Sequence, residues 1–250
     1  MLAITSPRTT TREKGSSALT KQLWVVVPAF NEGERIAKTL RALQTTTLSG
    51  NDWIAQIVVI DDGSRDNTIE VARRFPVWIL RHPINCGQGA AIQTGIDFAI
   101  QNEADILVTF DADNQHSASE IKDLIAPILD GKAQVSLGSR FLGSTISMPV
   151  TRRILLQAAT WYTRLTTGLP VTDTHNGFRA ISRKAAQKIR LRQPRMAHAS
   201  EILEEIARHR ISWKEVPVTI RYSDATLAKG QSGWDAVRIV MQLLVGRLVP

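Results

Sequence analysis

Two aspartates one residue apart, Asp111 and Asp113, follow the apolar run Ile106 to Phe110 and precede Asn114-Gln115-His116. Like charges this close repel unless a cation lies between them, so the pair is either a divalent-cation site or a solvated loop. In an extended segment, side chains two apart point the same way, and both carboxylates can then reach one ion. Hard oxygen ligands select Mg²⁺ or Mn²⁺, and so few protein carboxylates leave coordination positions for water and substrate phosphates. A calcium loop of the helix-loop-helix kind is excluded: it needs Gly at its sixth position and Glu at its twelfth, where this chain has His116 and Lys122.

A second acidic pair, Asp61 and Asp62, ends the run Ile57-Val58-Val59-Ile60 and leads through Gly63-Ser64 to Asp66-Asn67-Thr68. Asp66 and Asn67 read as helix caps, and Gly63 relaxes the turn. Asp61 and Asp62 sit where a bound nucleotide would offer base or ribose donors.

These residues need elements to hold them. Short continuous apolar runs place strands at Leu23 to Pro28, Ile54 to Ile60, Val77 to Leu80, Ile106 to Phe110 and Val135 to Leu137. Helical periodicity falls between them, near Arg35 to Gln44, Thr68 to Arg74, Gly89 to Gln101 and Ala118 to Leu129. Alternating β and α elements imply a doubly wound, mostly parallel Rossmann-like α/β sheet flanked by helices. Ligands bind such sheets outside the carboxyl ends of the strands. Pro28-Ala29-Phe30-Asn31-Glu32, Asp61-Asp62 and Asp111-Ala112-Asp113 all follow strands, so they gather on one rim. Residues 1 to about 22, rich in Ser, Thr and basic residues, read as a mobile tail outside the fold.

With 250 residues and 43% hydrophobic content, the chain can fill a proper core. One cysteine, Cys86, rules out an internal disulfide; with no apolar stretch resembling a secretory signal at the N-terminus, a cytoplasmic setting is expected. A net charge of +8 favours an anionic partner. Dispersed basic residues without a recognition motif argue against nucleic acid. No apolar run reaches the ~18 residues of a bilayer span, so any meeting with a membrane is peripheral.

Six segments in order then resemble the motif series of family 2 glycosyltransferases: Pro28 to Glu32, Asp61 to Ser64, Asn85 to Ala91, Asp111 to His116, Gly138 to Phe141 and Asp173 to Arg179. The chain is most similar to the branch of dolichyl-phosphate mannosyltransferase and bacterial polyprenyl-phosphate enzymes. A haloacid-dehalogenase phosphatase would have Thr where Gln115 stands. The resemblance implies a GT-A fold over 23–220 and inverting transfer from a GDP- or UDP-linked sugar. It implies Pro28, Phe30, Asn31, Glu32, Asp61, Asp62, Gln88 and Asp111 as the donor-nucleotide site, and Asp111, Asp113 and Gln115 around Mg²⁺ or Mn²⁺. Gln88 stands where relatives often have Lys, and His175-Asn176 fall in a variable part of the last motif.

The acceptor decides which further residues matter. A lipid phosphate is already nucleophilic and needs cations, whereas a sugar hydroxyl needs a general base. For the first, the preferred polyprenyl phosphate acceptor at the inner membrane face, the resemblance points to Arg140, Arg152, Arg153, Arg221 and Lys229. For the second, a hydroxyl of a lipid-linked glycan, it points to Glu201, which opens a helix, where the helix dipole alone also favours an acidic residue. Asp113, Glu201 and Arg140 are thus the catalytic candidates. A third reading is a nucleotide-sugar binding subunit without catalysis, and an oligomer is allowed. Residues 221–250 read as an acceptor loop followed by an amphipathic helix. That helix, and the apolar face of Arg152 to Thr167 carrying Ile154, Trp161 and Leu165, are expected in the core, though interfacial docking also fits.

Overall fold

Leu23-Trp24-Val25-Val26-Val27 is apolar at every position because both faces of its strand are covered. In the computed structural model, which describes residues 3–6, 21–47, 53–192 and 198–222, Leu23, Val25 and Val27 join one buried cluster, and Trp24 and Val26 join another on the opposite face. Ile57 and Val59 alternate with Val58 and Ile60 in the same way.

The described strands are β1 (Ala3–Thr5), β2 (Lys21–Ala29), β3 (Trp53–Asp61), β4 (Trp78–Arg81), β5 (Ile106–Thr109), β6 (Val135–Ile146), β7 (Arg179–Ser182) and β8 (Trp213–Arg221). They form one sheet in the order β1-β4-β3-β2-β5-β7-β6-β8. The helices are α1 (Ile36–Thr47), α2 (Thr68–Ala72), α3 (Gln88–Gln101), α4 (Ile121–Leu129), α5 (Val150–Thr167), α6 (Arg183–Ala186) and α7 (His198–Arg208). Ile36, Leu40 and Leu43 of α1 and Ile121 and Leu124 of α4 cover one face. Ile92 and Ile96 of α3 and Ile202, Leu203 and Ile206 of α7 cover the other. Gly95 lets α3 seat closely, since a Cβ there would lie 2.2 Å from Val26 Cγ1.

The pairs β4–β3, β3–β2 and β2–β5 are parallel. The chain moves outward from β2 to β3 and β4, then returns to the other side of β2 for β5. Strand order therefore reverses between β2 and β5, whose carboxyl ends open a crevice. β7 runs antiparallel to both β5 and β6 and carries a second set of loops to the same place.

Three sequence expectations need correction. Ala3–Thr5 pairs antiparallel with β4, so part of the stretch read as a tail outside the fold adds an edge strand. β7 and β8 were not anticipated. The apolar face of α5 is split and reaches the core nowhere fully: Ile154, Ala158, Trp161 and Leu165 are exposed, Leu155, Ala159 and Tyr162 are half-buried, and Thr160 and Thr163 are buried. Those two hydroxyls donate to the carbonyls of Leu156 and Ala159 at 2.8 and 3.0 Å, which lets both threonines pack inward without orphaned donors.

Candidate active site

The turn after β2 and the loop after β3 are tied together by backbone donors. Asn31 N–H donates to Ser64 Oγ (2.9 Å), Glu32 N–H to Thr68 Oγ1 (2.9 Å) and Gly33 N–H to Asp66 Oδ2 (3.0 Å). Asn31 adopts φ 54°, a left-handed conformation that Asn tolerates, and its Oδ1 accepts from Arg65 N–H at 2.9 Å. Asp66 also accepts from Thr68 N–H (3.0 Å), whereas Asn67 makes no side-chain cap.

Asp62 braces the neighbouring loop. Its Oδ1 accepts from His82 Nδ1 (2.7 Å) and Cys86 N–H (2.9 Å), and its Oδ2 from Gly87 N–H (2.7 Å). His82 Nε2 lies 3.0 Å from Thr94 Oγ1, which fixes the imidazole between β3 and α3. Ligand atoms of Asp62, His82 and Cys86 lie within 4.8 Å of one another, yet the carboxylate is already committed to three N–H donors. This cluster is a hydrogen-bonded brace. Asp61 is buried beside it: Oδ1 accepts from Ser64 N–H at 3.3 Å, and Oδ2 is 3.4 Å from Arg81 Nε. Burial raises its pKa, partly offset by Ser64 and Arg81.

Asp111 and Asp113 share the crevice through a turn rather than through extended alternation. β5 ends at Thr109, Ala112 is buried with its carbonyl accepting from Thr39 Oγ1 (2.9 Å), and Asn114 takes φ 63°. The chain doubles back there, and Asp113 Oδ1 accepts Gln115 N–H at 3.0 Å. Asp111 is oriented from two sides, by Gln88 Nε2 on Oδ1 and His116 Nε2 on Oδ2, each at 3.0 Å. Burial pushes the Asp113 carboxyl up to about 6; the charge of Asp111 adds to this, and His116 opposes it. Asp111 and Asp113 supply hard carboxylate oxygens, Gln115 supplies an amide oxygen, and a divalent cation would relieve the repulsion that lifts Asp113. The residues present therefore fit Mg²⁺ or Mn²⁺.

Across the sheet, Arg140 is buried and fully engaged. Its Nε donates to Asp173 Oδ2 (2.6 Å), Nη1 to Tyr222 Oη (2.6 Å) and Nη2 to the His175 carbonyl (2.8 Å). Burial is the largest influence and opposes its charge, but Asp173 and Tyr222 together outweigh it and hold the guanidinium above its ordinary pKa. Glu215 of β8 fixes the partner loop by accepting from Thr172 N–H (2.7 Å) and Asp173 N–H (3.1 Å). Arg152 lies over the Tyr222 ring, 5.0 Å from its centroid. Behind Asp111, Arg179 is fully buried; desolvation lowers it to about 10 against the pull of Asp173 and Asp111.

One cleft of about 760 Å³ gathers these groups: Pro28, Phe30, Glu32, Asp62, Gln88, Asp111, Asp113, Gln115, Arg140 and Arg152 all line it. Other expected site residues lie elsewhere. Asn31 and Asp61 support the loops from behind. Arg153 is exposed on a separate groove, and Arg221 ends β8 with its N–H on the Gln115 carbonyl at 3.1 Å. Glu201 is buried in α7, accepts Arg192 N–H at 2.7 Å and does not line the cleft. Lys229 and the C-terminal helix expectation lie outside the described residues. His82, His116, Asp173, Glu215 and Tyr222 are not among the expected site residues; His116 and Asp173 had local signals, as the end of the Asp111 motif and the start of the Asp173 to Arg179 motif.

A family model described as Glycosyl transferase family 2 matches residues 24–190. The UDP-N-acetylglucosamine–dolichyl-phosphate N-acetylglucosaminyltransferase of Methanococcus voltae is 30% identical over 246 residues, covering 90% of this chain and 96% of that protein. The polyprenol monophosphomannose synthase of Mycolicibacterium smegmatis is 29% identical over 180 residues, 69% of this chain and 66% of that one. Among solved structures, glucosyl-3-phosphoglycerate synthase from Mycobacterium tuberculosis, in complex with Mg²⁺ and uridine diphosphate, is similar at TM-score 0.69 and 17% identity. The match covers 92% of this chain and 80% of that chain. That likeness is one of fold, the GT-A arrangement of a mostly parallel sheet between helices. With the family model matching well over half of its length, the chain belongs to the family 2 glycosyltransferases.

Proposed function

We propose that this chain transfers a sugar, with inversion, from a GDP- or UDP-linked donor to a polyprenyl phosphate at the inner face of the cell membrane. One observation carries the reading: a single cleft brings Asp111 and Asp113 together with Arg140 and Arg152. The acidic pair suits a cation-held diphosphate, and the guanidinium groups suit a phosphate acceptor. The names of the M. voltae and M. smegmatis relatives support a polyprenyl-type lipid.

Each part of the cleft then has a task. Phe30 offers an exposed ring to the donor base, and Asp62, held by His82, offers a fixed acceptor beside it. Asp111, Asp113 and Gln115 would hold Mg²⁺ or Mn²⁺, which when bound neutralises charge on the departing diphosphate. Gln88 and His116 keep Asp111 in register. A lipid phosphate oxygen attacks without a base, and Arg152 supplies positive charge to bring it in. Arg140 adds charge while fixing Asp173, His175 and Tyr222. Arg153, Arg221 and Lys229 are proposed to guide the acceptor's approach. A sugar-hydroxyl acceptor would need a general base, and the position of Glu201 off the cleft lends no support to that alternative. Asp111, Asp113 and Gln115, all facing the cleft, weigh against a subunit that only binds.

A Cβ at Gly177 would lie 2.5 Å from Asp111 Oδ2, so this glycine permits the carboxylate to sit where it does. Gly177→Ala is expected to displace Asp111 and slow transfer about a hundredfold with the fold intact by circular dichroism. Unchanged turnover would show that the position of Asp111 is immaterial. The donor is identified by offering labelled GDP- and UDP-sugars with a short polyprenyl phosphate and Mn²⁺, then counting label in the organic phase. Failure of every donor with folded protein would remove the proposed reaction.

A further inference from the structure

We infer that the outward face of α5 seats this chain on an anionic lipid bilayer. The inference rests on the lipid-acceptor reading above and adds the surface that would deliver the cleft to its substrate.

Val150, Ile154, Trp161 and Leu165 are spaced i, i+4, i+11 and i+15, which puts them within roughly 60° of arc on a helix. They are 73, 62, 64 and 64% exposed. Leu142 and Ile146, on the strand end that leads into the helix, are exposed as well. Thr160 and Thr163 face the protein body with Leu156 and Tyr162 half-buried beside them, so this outer stripe is apolar surface beyond what the body covers. A continuous apolar stripe held outward marks an interaction surface.

Charge selects the partner. Residues 141–172 contain no Asp or Glu and carry Arg152, Arg153 and Arg164. Arg153 and Arg164 flank the stripe and, with Phe141, Gln157 and Trp161, line a groove of about 370 Å³. Guanidinium groups beside an apolar stripe can lie at the level of lipid phosphates while the stripe enters the acyl boundary, with Trp161 at the interface. A second copy of the chain fits less well, because a two-fold pairing of this face would set Arg153 and Arg164 against the same cations. Arg152, the next residue to Arg153, lines the cleft, so one helix touches both the bilayer and the site.

Sedimentation of the full chain with phosphatidylcholine vesicles, with and without phosphatidylglycerol, tests this. Wild type is expected to bind the anionic vesicles, and the double substitution Ile154→Ser with Trp161→Ser to weaken binding at least about tenfold. Arg153→Gln with Arg164→Gln should remove the preference for anionic lipid, whereas Ile84→Ser, an exposed apolar residue elsewhere, should change nothing. Should the serine variant fail to fold, Ile154→Cys in a Cys86→Ser background, carrying an environment-sensitive fluorophore, replaces it; a blue shift on adding anionic vesicles is expected. Transfer to a short, water-soluble acceptor should survive in the serine variant, which separates this surface from the reaction itself. Undiminished vesicle binding by the folded serine variant overturns the inference, as does the absence of a blue shift. Self-association of wild type that the same substitutions abolish would instead assign the face to a second copy.

Discussion

Asp113→Ala is expected to lower cation-dependent sugar transfer about a thousandfold while leaving the fold in place. The reasoning is local. Asp113 is lifted to about 6 by burial and by Asp111, so its ionised form is costly in the absence of a cation. Because its folded-state pKa lies above the unfolded value, the bare protein loses stability as pH rises through that window, from the ordinary carboxylate range to about 6. A cation reverses this loss by favouring the ionised form. Mn²⁺ should therefore raise Tm near neutral pH and give little rise at about pH 5, where Asp113 is protonated. Asp113→Asn should abolish the difference between the two conditions. An equal rise in Tm for Asp113→Asn and wild type would place the cation elsewhere.

The second large effect concerns Arg140. Removing one partner of a buried ion pair leaves the other uncompensated, at a cost of about 3–5 kcal/mol. Arg140→Ala would strand Asp173 and leave the Tyr222 hydroxyl without its guanidinium donor, since both bonds are 2.6 Å long. A fall in Tm of about 10 °C is expected, measured by thermal denaturation. Arg140→Lys should recover little of it, because one ammonium cannot reproduce the planar fork that reaches Asp173, Tyr222 and the His175 carbonyl. Tyr222→Phe removes one hydroxyl from the same network and should cost only about 1 kcal/mol. If Arg140→Ala keeps the wild-type Tm, Arg140 does not hold this network together and serves the acceptor alone.

The parallel half of the fold was legible in the sequence because burial on both faces writes an uninterrupted apolar run, as in Leu23 to Val27 and Ile57 to Ile60. The edges were not. β8 alternates buried Val216, Val218 and Ile220 with more exposed Glu215, Pro217 and Thr219, a period-two signal weakened by its charges and its proline. β7 is four residues long and carries buried Arg179, which hides a central strand behind a charge. On α5 the apolar stripe was visible, but sequence periodicity does not say which side of a helix faces the body.

Of the carboxylates that the motifs put on the rim, Glu32, Asp62, Asp111 and Asp113 line one cleft, and Asp61 lies behind it. Their local geometry was hidden, because the left-handed turn at Asn114 replaces the extended segment on which the two-apart argument rested. The partner of Arg140 is 33 residues away at Asp173, and that of Asp62 is 20 residues away at His82. Contacts of that range leave no spacing to read. Glu201 shows the limit from the other side: an acidic residue in a first helical turn looks the same whether it meets substrate or, as here, holds a backbone N–H within the body.

The most direct test of the central claim is to follow label from a nucleotide sugar into polyprenyl phosphate with purified wild type and Asp113→Ala, in Mn²⁺ and after chelation. The expected result is a lipid-linked product that needs both the cation and Asp113. Transfer that persists without either, or label that reaches only a sugar hydroxyl, would contradict the assignment of this cleft to cation-assisted transfer onto a lipid phosphate.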